Sequence, residues 1–264
     1  MRHPRRDSVA GVTLPPPGQT AFLLVAGLLS GLVNAVAGGG SLLLFPALLA
    51  IGLPTLPANV TNSIAQWPGY IGAVAGARRE LAGQRNRVIS TIGVAIAGTG
   101  LGCALLLVLP GQVFDAVVPA LVLLAAVLLG FSPWLRRWIG APDPDGPDRR
   151  SVLLPAVFVA SVYGGYFGGA LGVILISVLS LTAHDRLVRL NAVKAALSLV
   201  VATVTLVIFA LGAPVHWLAV ALLAPTTLVG GFLGMRLARV LPESVLRWSV
   251  VVLGVAVAGY LFYR

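Results

Sequence analysis

The chain contains a single cysteine, Cys103, which excludes both a disulfide framework and a thiolate metal site; set inside an apolar run, it reads as a small packing residue. Histidine is scarce too. His3, His184 and His216 are scattered, with no His/Glu metal spacing and no glycine loop followed by Lys and Ser/Thr for a nucleotide. A Ser/His or paired-Asp arrangement for an intramembrane hydrolase is also lacking. The sequence thus predicts no enzyme and no cofactor. Charge is the third shortage: 10% of residues are charged, against about a quarter in a soluble globular domain. No Asp, Glu, Lys or Arg occurs from Ser8 to Ala77, from Ser151 to Ala183 or from Ala195 to Met235. A chain that is 58% hydrophobic, with mean hydropathy +0.97, cannot cover itself with polar surface.

What charge there is has a pattern. The net charge of +10 comes almost wholly from arginines clustered between apolar runs: Arg78, Arg79, Arg85 and Arg87; Arg136, Arg137, Arg149 and Arg150; Arg186 and Arg189; Arg236, Arg239 and Arg247. That is the signature of cytoplasmic loops in a membrane protein. Nucleic-acid binding would need a polar folded module to display the charge, and no soluble segment is longer than the connector at 132–150. Met1 to Arg6 followed by an apolar run and Ala35-Val36-Ala37 imitates a secretory signal. The apolar run is too long for one, and the apparent cleavage site falls inside a pattern that recurs later. A bacterial-type inner membrane and a multi-pass topology are therefore expected.

Helical segments are predicted at 20–37, 41–51, 58–77, 88–109, 113–131, 151–169, 171–181, 190–211, 216–235 and 244–263. The second and seventh would reach only about 16 Å, roughly half of a hydrocarbon core, and each follows a glycine-rich break. Gly31 to Gly38 matches Gly165 to Gly172 in spacing, and each is followed by an aliphatic run and an Asn-bearing stretch, at Asn62 or Asn191. This recurrence predicts an N-terminal tail at 1–19, a first membrane repeat at 20–131, a cytoplasmic connector at 132–150 and a second repeat at 151–264. If all ten segments cross, the Arg-rich loops share one side, the halves are inverted and the N-terminus is exterior. If the two short segments are re-entrant, the halves are parallel and Arg236 and Arg239 fall outside. The first arrangement respects the charges better.

GxxxG spacings such as Gly27/Gly31, Gly98/Gly102 and Gly230/Gly234 mainly describe close helix packing. Trp134, Trp138, Trp217 and Trp248 sit near segment ends as interfacial anchors, whereas Trp67 sits inside a segment beside Pro68. Gly38, Gly39 and Gly40 with Ser41 interrupt an apolar stretch, and irregular backbone at membrane depth is tolerable only when buried in protein or lining a watery cavity. Broken helices of this kind turn half-helix N-termini towards anions. Gly168 and Gly169, in the second break, would supply the partner; tight helix packing is the plain alternative. Lys194, the only lysine, lies a few residues into an apolar run, with the right sign for an anion or, alternatively, close enough to the end to snorkel. Asn34, Thr61, Asn62, Gln66, Asn191 and Ser198 are neutral groups near the breaks, suited to an oxyanion or to interhelical hydrogen bonds. Asp115, after Pro110-Gly111, reads as an exterior helix-end residue.

The run Gly27 to Gly40 with Asn34-Ala-Val-Ala-Gly-Gly-Gly40, then Leu42 to Pro46, then Leu56-Pro-Ala-Asn-Val-Thr-Asn62, resembles the TauE/SafE family of sulfite exporters. Gly164 to Gly172 and Arg189-Leu-Asn-Ala-Val-Lys194 look like its second repeat, so the resemblance covers nearly all of the chain from Thr20. It implies transport of sulfite, sulfoacetate or other organosulfur anions without a cofactor. The family commonly has a lysine after the first-repeat Asn; here that residue is Ser63, so no first-half lysine ligand is expected. The sequence thus predicts an all-α, polytopic membrane bundle of two repeats with broken or re-entrant helices, working as a secondary transporter of a small anion. An anion channel and a non-transporting scaffold are the alternatives, disfavoured by the lack of charged pore rings and of a soluble interaction domain. The lipid bilayer and the anion are the expected partners, and homo-oligomerisation stays open.

Overall fold

The computed structural model describes residues 16–139, 148–237 and 243–263. The N-terminal Arg2, Arg5 and Arg6, the connector residues 140–147 and Arg239 lie outside the described residues, as do the side chains of Arg136, Arg137 and Trp138. Among the described residues there are ten α-helices and no strand: α1 Pro17–Val36, α2 Ser41–Ala50, α3 Thr55–Gly76, α4 Arg85–Val108, α5 Gly111–Ile139, α6 Arg150–Tyr166, α7 Leu171–Thr182, α8 Leu187–Gly212, α9 Trp217–Leu237 and α10 Glu243–Tyr263. Five of them are long and apolar enough to cross a membrane, namely α1, α4, α5 to Trp134, α8 and α9. Every predicted segment has its helix. The largest difference is in α5, which runs past Phe131 and through Pro133 to Ile139 and so takes up the first residues assigned to the connector. Proline inside a membrane helix is tolerated because neighbouring groups can satisfy the freed carbonyl.

Glycine spacing sets the packing. Gly27 of α1 meets Leu223 and Thr226 of α9, Gly31 meets Thr227 and Gly231, and Gly234 meets Leu32 and Ala35, so the two helices run side by side in the same direction. A Cβ at Gly31 would collide with the Thr227 carbonyl, an approach that only small residues permit. In a second pair of the same kind, Gly98 of α4 meets Phe158 and Ser161 of α6, and Gly102 meets Val162 and Tyr166, again in parallel. α3 also packs on α9, meeting it at Thr227 and Gly231 through Gly69, as α8 packs on α4, and α3 and α8 pack on each other. α5 and α10 form an antiparallel pair in which Gly130 faces Val251 and Gly254 faces Ala126.

The arginines of the described helix ends and turns gather at one end of the bundle, with Asp148 and Asp185 among them. Arg87, in the first turn of α4, forks onto Asp148 (Nε to Oδ2 2.8 Å, Nη2 to Oδ1 2.7 Å) and reaches Asp185 at 3.3 Å. Arg189 pairs with Asp185 at 3.4 Å and donates to the Ala82 carbonyl at 3.0 Å. This network ties the turn before α4, the residue ahead of α6 and the α7–α8 turn together. The Arg87 guanidinium, helped by the His184 N–H, holds the Asp148 carboxyl below the usual carboxylate range against the cost of its burial. Burial opposes the same shift at Asp185, but hydrogen bonds from Gln84 and the Arg186 N–H and the charge of Arg189 carry it below that range as well. At the opposite end the Thr55 hydroxyl donates to Asp115, and the His216 N–H donates to Thr61 Oγ1 at 3.0 Å. Asp115 thus sits at a helix start, away from the arginines.

Candidate functional site

Both predicted breaks are present and built alike. α1 ends at Val36 and α6 at Tyr166; two residues on, Gly38 (φ +81°) and Gly168 (φ +76°) take the left-handed conformation that glycine allows without a Cβ penalty, and a short helix begins three residues later. This pairing corrects the spacing read from sequence, which aligned Gly38 with Gly172. Ala170, also left-handed at φ +54°, occupies the place of Gly40 in the second break.

The expectation that the breaks surround a pocket roomy enough for an anion needs correction. Their backbones touch: a Cβ on Gly38 would lie 2.6 Å from the Gly172 carbonyl carbon, and one on Gly172 2.6 Å from Gly38 Cα. Gly39 packs on Leu129, Gly40 on Ser30 and Asn34, and Gly169 on Phe167 and Ala125. Nor are all the N–H groups at the starts of α2 and α7 on offer to an anion. Leu42 and Leu43 donate to the carbonyls of Gly39 and Gly40 (3.1 and 3.0 Å), and Leu171 and Val173 to those of Gly168 and Ala170 (3.3 and 2.9 Å).

The space lies elsewhere. A cavity of about 580 Å³ opens at the arginine end, with Gly76, Arg78, Arg79 and Arg236 in its wall and Asn191 and Lys194 among its lining residues. Glu80 is the one acid lining it. Lys194 is 3% exposed, and its Nζ donates to the Ala35 carbonyl at 3.3 Å, at the C-terminal turn of α1, where a cation is favoured by the helix dipole. Asn191 Nδ2 lies 3.5 Å from the same carbonyl and from Met235 Sδ. An ammonium and a carboxamide in the wall of a basic vestibule can receive an anionic head group and strip part of its water.

Deeper in the bundle is a much smaller cavity of about 20 Å³, lined by Ser41, Ser63, Gln66, Tyr70, Gly168 and Ser198 among others. Gln66 Nε2 donates to Ser30 Oγ, and Ser30 donates in turn to the Gly40 carbonyl at 2.8 Å. The Asn34 side chain lies beside the Tyr70 hydroxyl. Most of the predicted residues therefore fall into three groups. Asn191 and Lys194 line the vestibule; Ser41, Gln66 and Gly168 line the inner cavity, with Asn34 behind Tyr70; Gly38, Gly39, Gly40 and Gly169 are packed. Thr61 is turned to the far end, accepting from His216, and Asn62 is buried without lining either cavity.

Sequence reasoning passed over Tyr70 and Thr205, named Ser63 only as standing in the place of a lysine, and treated the vestibule arginines Arg78, Arg79 and Arg236 only as topology markers. The signal was helical period. On α8, Asn191, Lys194, Ser198 and Thr205 follow one another at three, four and seven residues, one stripe that runs from the vestibule into the inner cavity.

A helical bundle of this apolar length, with close-packed broken helices and a charged vestibule at one end, has the build of a multi-pass membrane transporter. The chain belongs to the Sulfite exporter TauE/SafE family, whose profile matches residues 23–261. It is similar to the Probable membrane transporter protein ORF9 of Sinorhizobium sp., at 25% identity over 254 residues and 90% of each chain. It is also similar to a Probable membrane transporter protein of Haemophilus influenzae, at 27% over 251 residues, 92% of this chain and 94% of the relative. A third relative is the Probable membrane transporter protein YfcA of Escherichia coli K12, at 25% over 246 residues, 91% of this chain and 88% of the relative. No solved structure matches the chain.

Proposed function

We propose that the protein moves sulfite, sulfoacetate or a related organosulfur oxyanion across the inner membrane by alternating access, with the anion held first at Lys194 and Asn191. The observation that carries this reading is the basic vestibule with the buried Lys194 ammonium in its lining. A buried ammonium at the wall of such a vestibule is a fitting partner for an anion that sheds part of its water on entry. The arginines at the vestibule wall raise the local concentration of anions.

Contact between the Gly38 and Gly172 backbones supports a carrier over an open channel, because it closes the route beyond the vestibule. Transport then requires the breaks to part. The like pairing of α1 with α9 and of α6 with α4, each in parallel, supports two inverted halves that rock against each other, with the vestibule on the cytoplasmic side.

Counterflow in proteoliposomes tests the reading. Vesicles loaded with unlabelled sulfite or sulfoacetate are expected to accelerate uptake of the labelled anion, whereas tetraethylammonium loading is not. Anion flux without trans-acceleration would point to a channel. Absence of flux for all oxyanions tried would remove the proposal.

A further inference from the structure

The lining of the inner cavity has no basic side chain and several acceptor oxygens, which points to a second ligand. Ser30 has a single proton, donated to the Gly40 carbonyl at 2.8 Å, so it can only accept from Gln66. The amide of Gln66 is thereby oriented with Nε2 on Ser30, and its Oε1, buried and without a hydrogen-bond partner in the protein, is left for the cavity that Gln66 lines. Ser63 donates its proton to the Asn59 carbonyl at 3.0 Å and Thr205 to the Ala202 carbonyl at 2.9 Å, so both turn lone pairs, not protons, to any further ligand. Ser198 Oγ is also buried and without a partner in the protein.

The backbone adds to this. A helix leaves its last four carbonyls without intrahelical partners. At the end of α6, Tyr163 O accepts from the N–H groups of Phe167 and Gly168 (2.9 and 3.1 Å), Gly165 O from Cys103 Sγ at 3.5 Å, and Tyr166 O from Asn59 Nδ2 at 3.1 Å. The fourth, Gly164, lines the cavity. In α1 the corresponding carbonyl, Asn34, is taken by the N–H of Gly38 at 3.0 Å. The cavity therefore has several oxygen acceptors in its wall, beside the hydroxyls of Ser41 and Tyr70, at the negative end of a helix dipole.

We propose that this cavity is a binding site for a dehydrated Na+ ion, held by Gln66 Oε1, Ser198 Oγ, the hydroxyl oxygens of Ser63 and Thr205, and the Gly164 carbonyl. A volume of about 20 Å³ admits one water-sized particle. Neutral oxygen donors suit a hard monovalent cation and not a transition metal. Unwound backbone at helix breaks holds coupling ions in this manner in other transporter architectures. Ser198 follows Lys194 by one turn of α8, so an ion here and an anion at Lys194 attract each other, which would couple the two fluxes; only that coupling step rests on the anion reading.

The site can be tested without any transported anion. The unfolding midpoint of the purified protein in detergent is measured in sodium, potassium or N-methylglucamine gluconate at matched ionic strength. A ligand that binds only the folded form raises the midpoint in a saturable way. Sodium is expected to do so, and potassium and N-methylglucamine are not. Ser198→Ala is expected to weaken the Na+ effect at least about tenfold in concentration while leaving the sodium-free midpoint close to wild type, and Gln66→Leu, where it folds, to abolish it. Equal midpoints in all three salts overturn the proposal and leave a bound water in the cavity. A sodium effect that Ser198→Ala does not weaken overturns the placement. Counterflow of sulfite that persists in sodium-free buffer would leave the anion reading standing while removing the coupling.

Discussion

Replacing Lys194 with Met separates a transport role from a packing role. The ammonium is 3% exposed and donates to the Ala35 carbonyl at 3.3 Å. Loss of the ammonium's polar contacts costs about 1 kcal/mol or more, while relief from burying a charge offsets it, and Met is close to Lys in length. Folding stability should therefore change by no more than about 1 kcal/mol, or roughly 4 °C in unfolding midpoint for a chain of this size. Anion binding should change far more. Removing the charged partner of a desolvated ion pair costs about 2–4 kcal/mol, which is roughly 30- to 1,000-fold in affinity. The assay is concentration-dependent uptake of labelled sulfite into proteoliposomes, with thermal unfolding of the same preparations. Lys194→Arg keeps the charge but exchanges a compact ammonium for a planar fork, and should retain a fraction of the uptake. Uptake by Lys194→Met with a half-saturation concentration within about twofold of wild type would refute the reasoning, and a large loss of midpoint would show Lys194 to be a packing residue.

Other consequences follow from the geometry. Gly38→Ala forces a Cβ to within 2.6 Å of the Gly172 carbonyl carbon at φ +81°, and should cost at least about 1–3 kcal/mol, read as a lower midpoint and reduced yield of folded protein. Ala170→Gly relieves a left-handed alanine at φ +54° and should raise stability by about 0.5–1 kcal/mol in the same measurement. The Asp148 carboxyl is held below its usual range by Arg87, so its contribution to stability is complete above the ordinary carboxylate value of about 4 and fades as pH falls through the lower folded value. The midpoint should accordingly hold from neutral pH down to about 5 as far as this group is concerned, and Asp148→Asn should lower it at pH 7 by about 1–2 kcal/mol, with the difference from wild type shrinking in acid. Arg78→Gln with Arg79→Gln should raise the half-saturation concentration for anion and flatten its salt dependence while leaving maximal uptake nearly unchanged, because these groups steer rather than hold.

Much of the architecture was legible because apolar length and arginine clustering report directly on helices and on the end of the bundle they reach. The ten segments, the two short helices and the packing role of the GxxxG pairs follow from such signals. The register of the second break did not. Gly164, Gly165, Gly168, Gly169 and Gly172 all fit a glycine template, and only backbone conformation distinguishes Gly168, at φ +76°, as the counterpart of Gly38. Thr61 was grouped with Gln66 by proximity in sequence, yet five residues on a helix place side chains on different faces, and Thr61 meets His216 instead. The reach of α5 to Ile139 was hidden because Pro133 reads as a stop, although a proline can be carried inside a long helix when its neighbours tolerate the missing bond. The vestibule was hidden for a further reason: Arg78, Arg79 and Arg236 come from two separate turns, and only the packing of α3 against α9 brings them around Lys194.

The location of the anion can be measured directly. Selenite has the shape and charge of sulfite, and its selenium scatters anomalously, so a crystal of the protein grown with it shows where the anion rests. The account predicts a selenium peak in the vestibule within hydrogen-bonding reach of Lys194 Nζ and Asn191 Nδ2, absent in Lys194→Met. A peak lodged between Gly38 and Gly172, or an empty vestibule in crystals of protein that transports the anion, would contradict it.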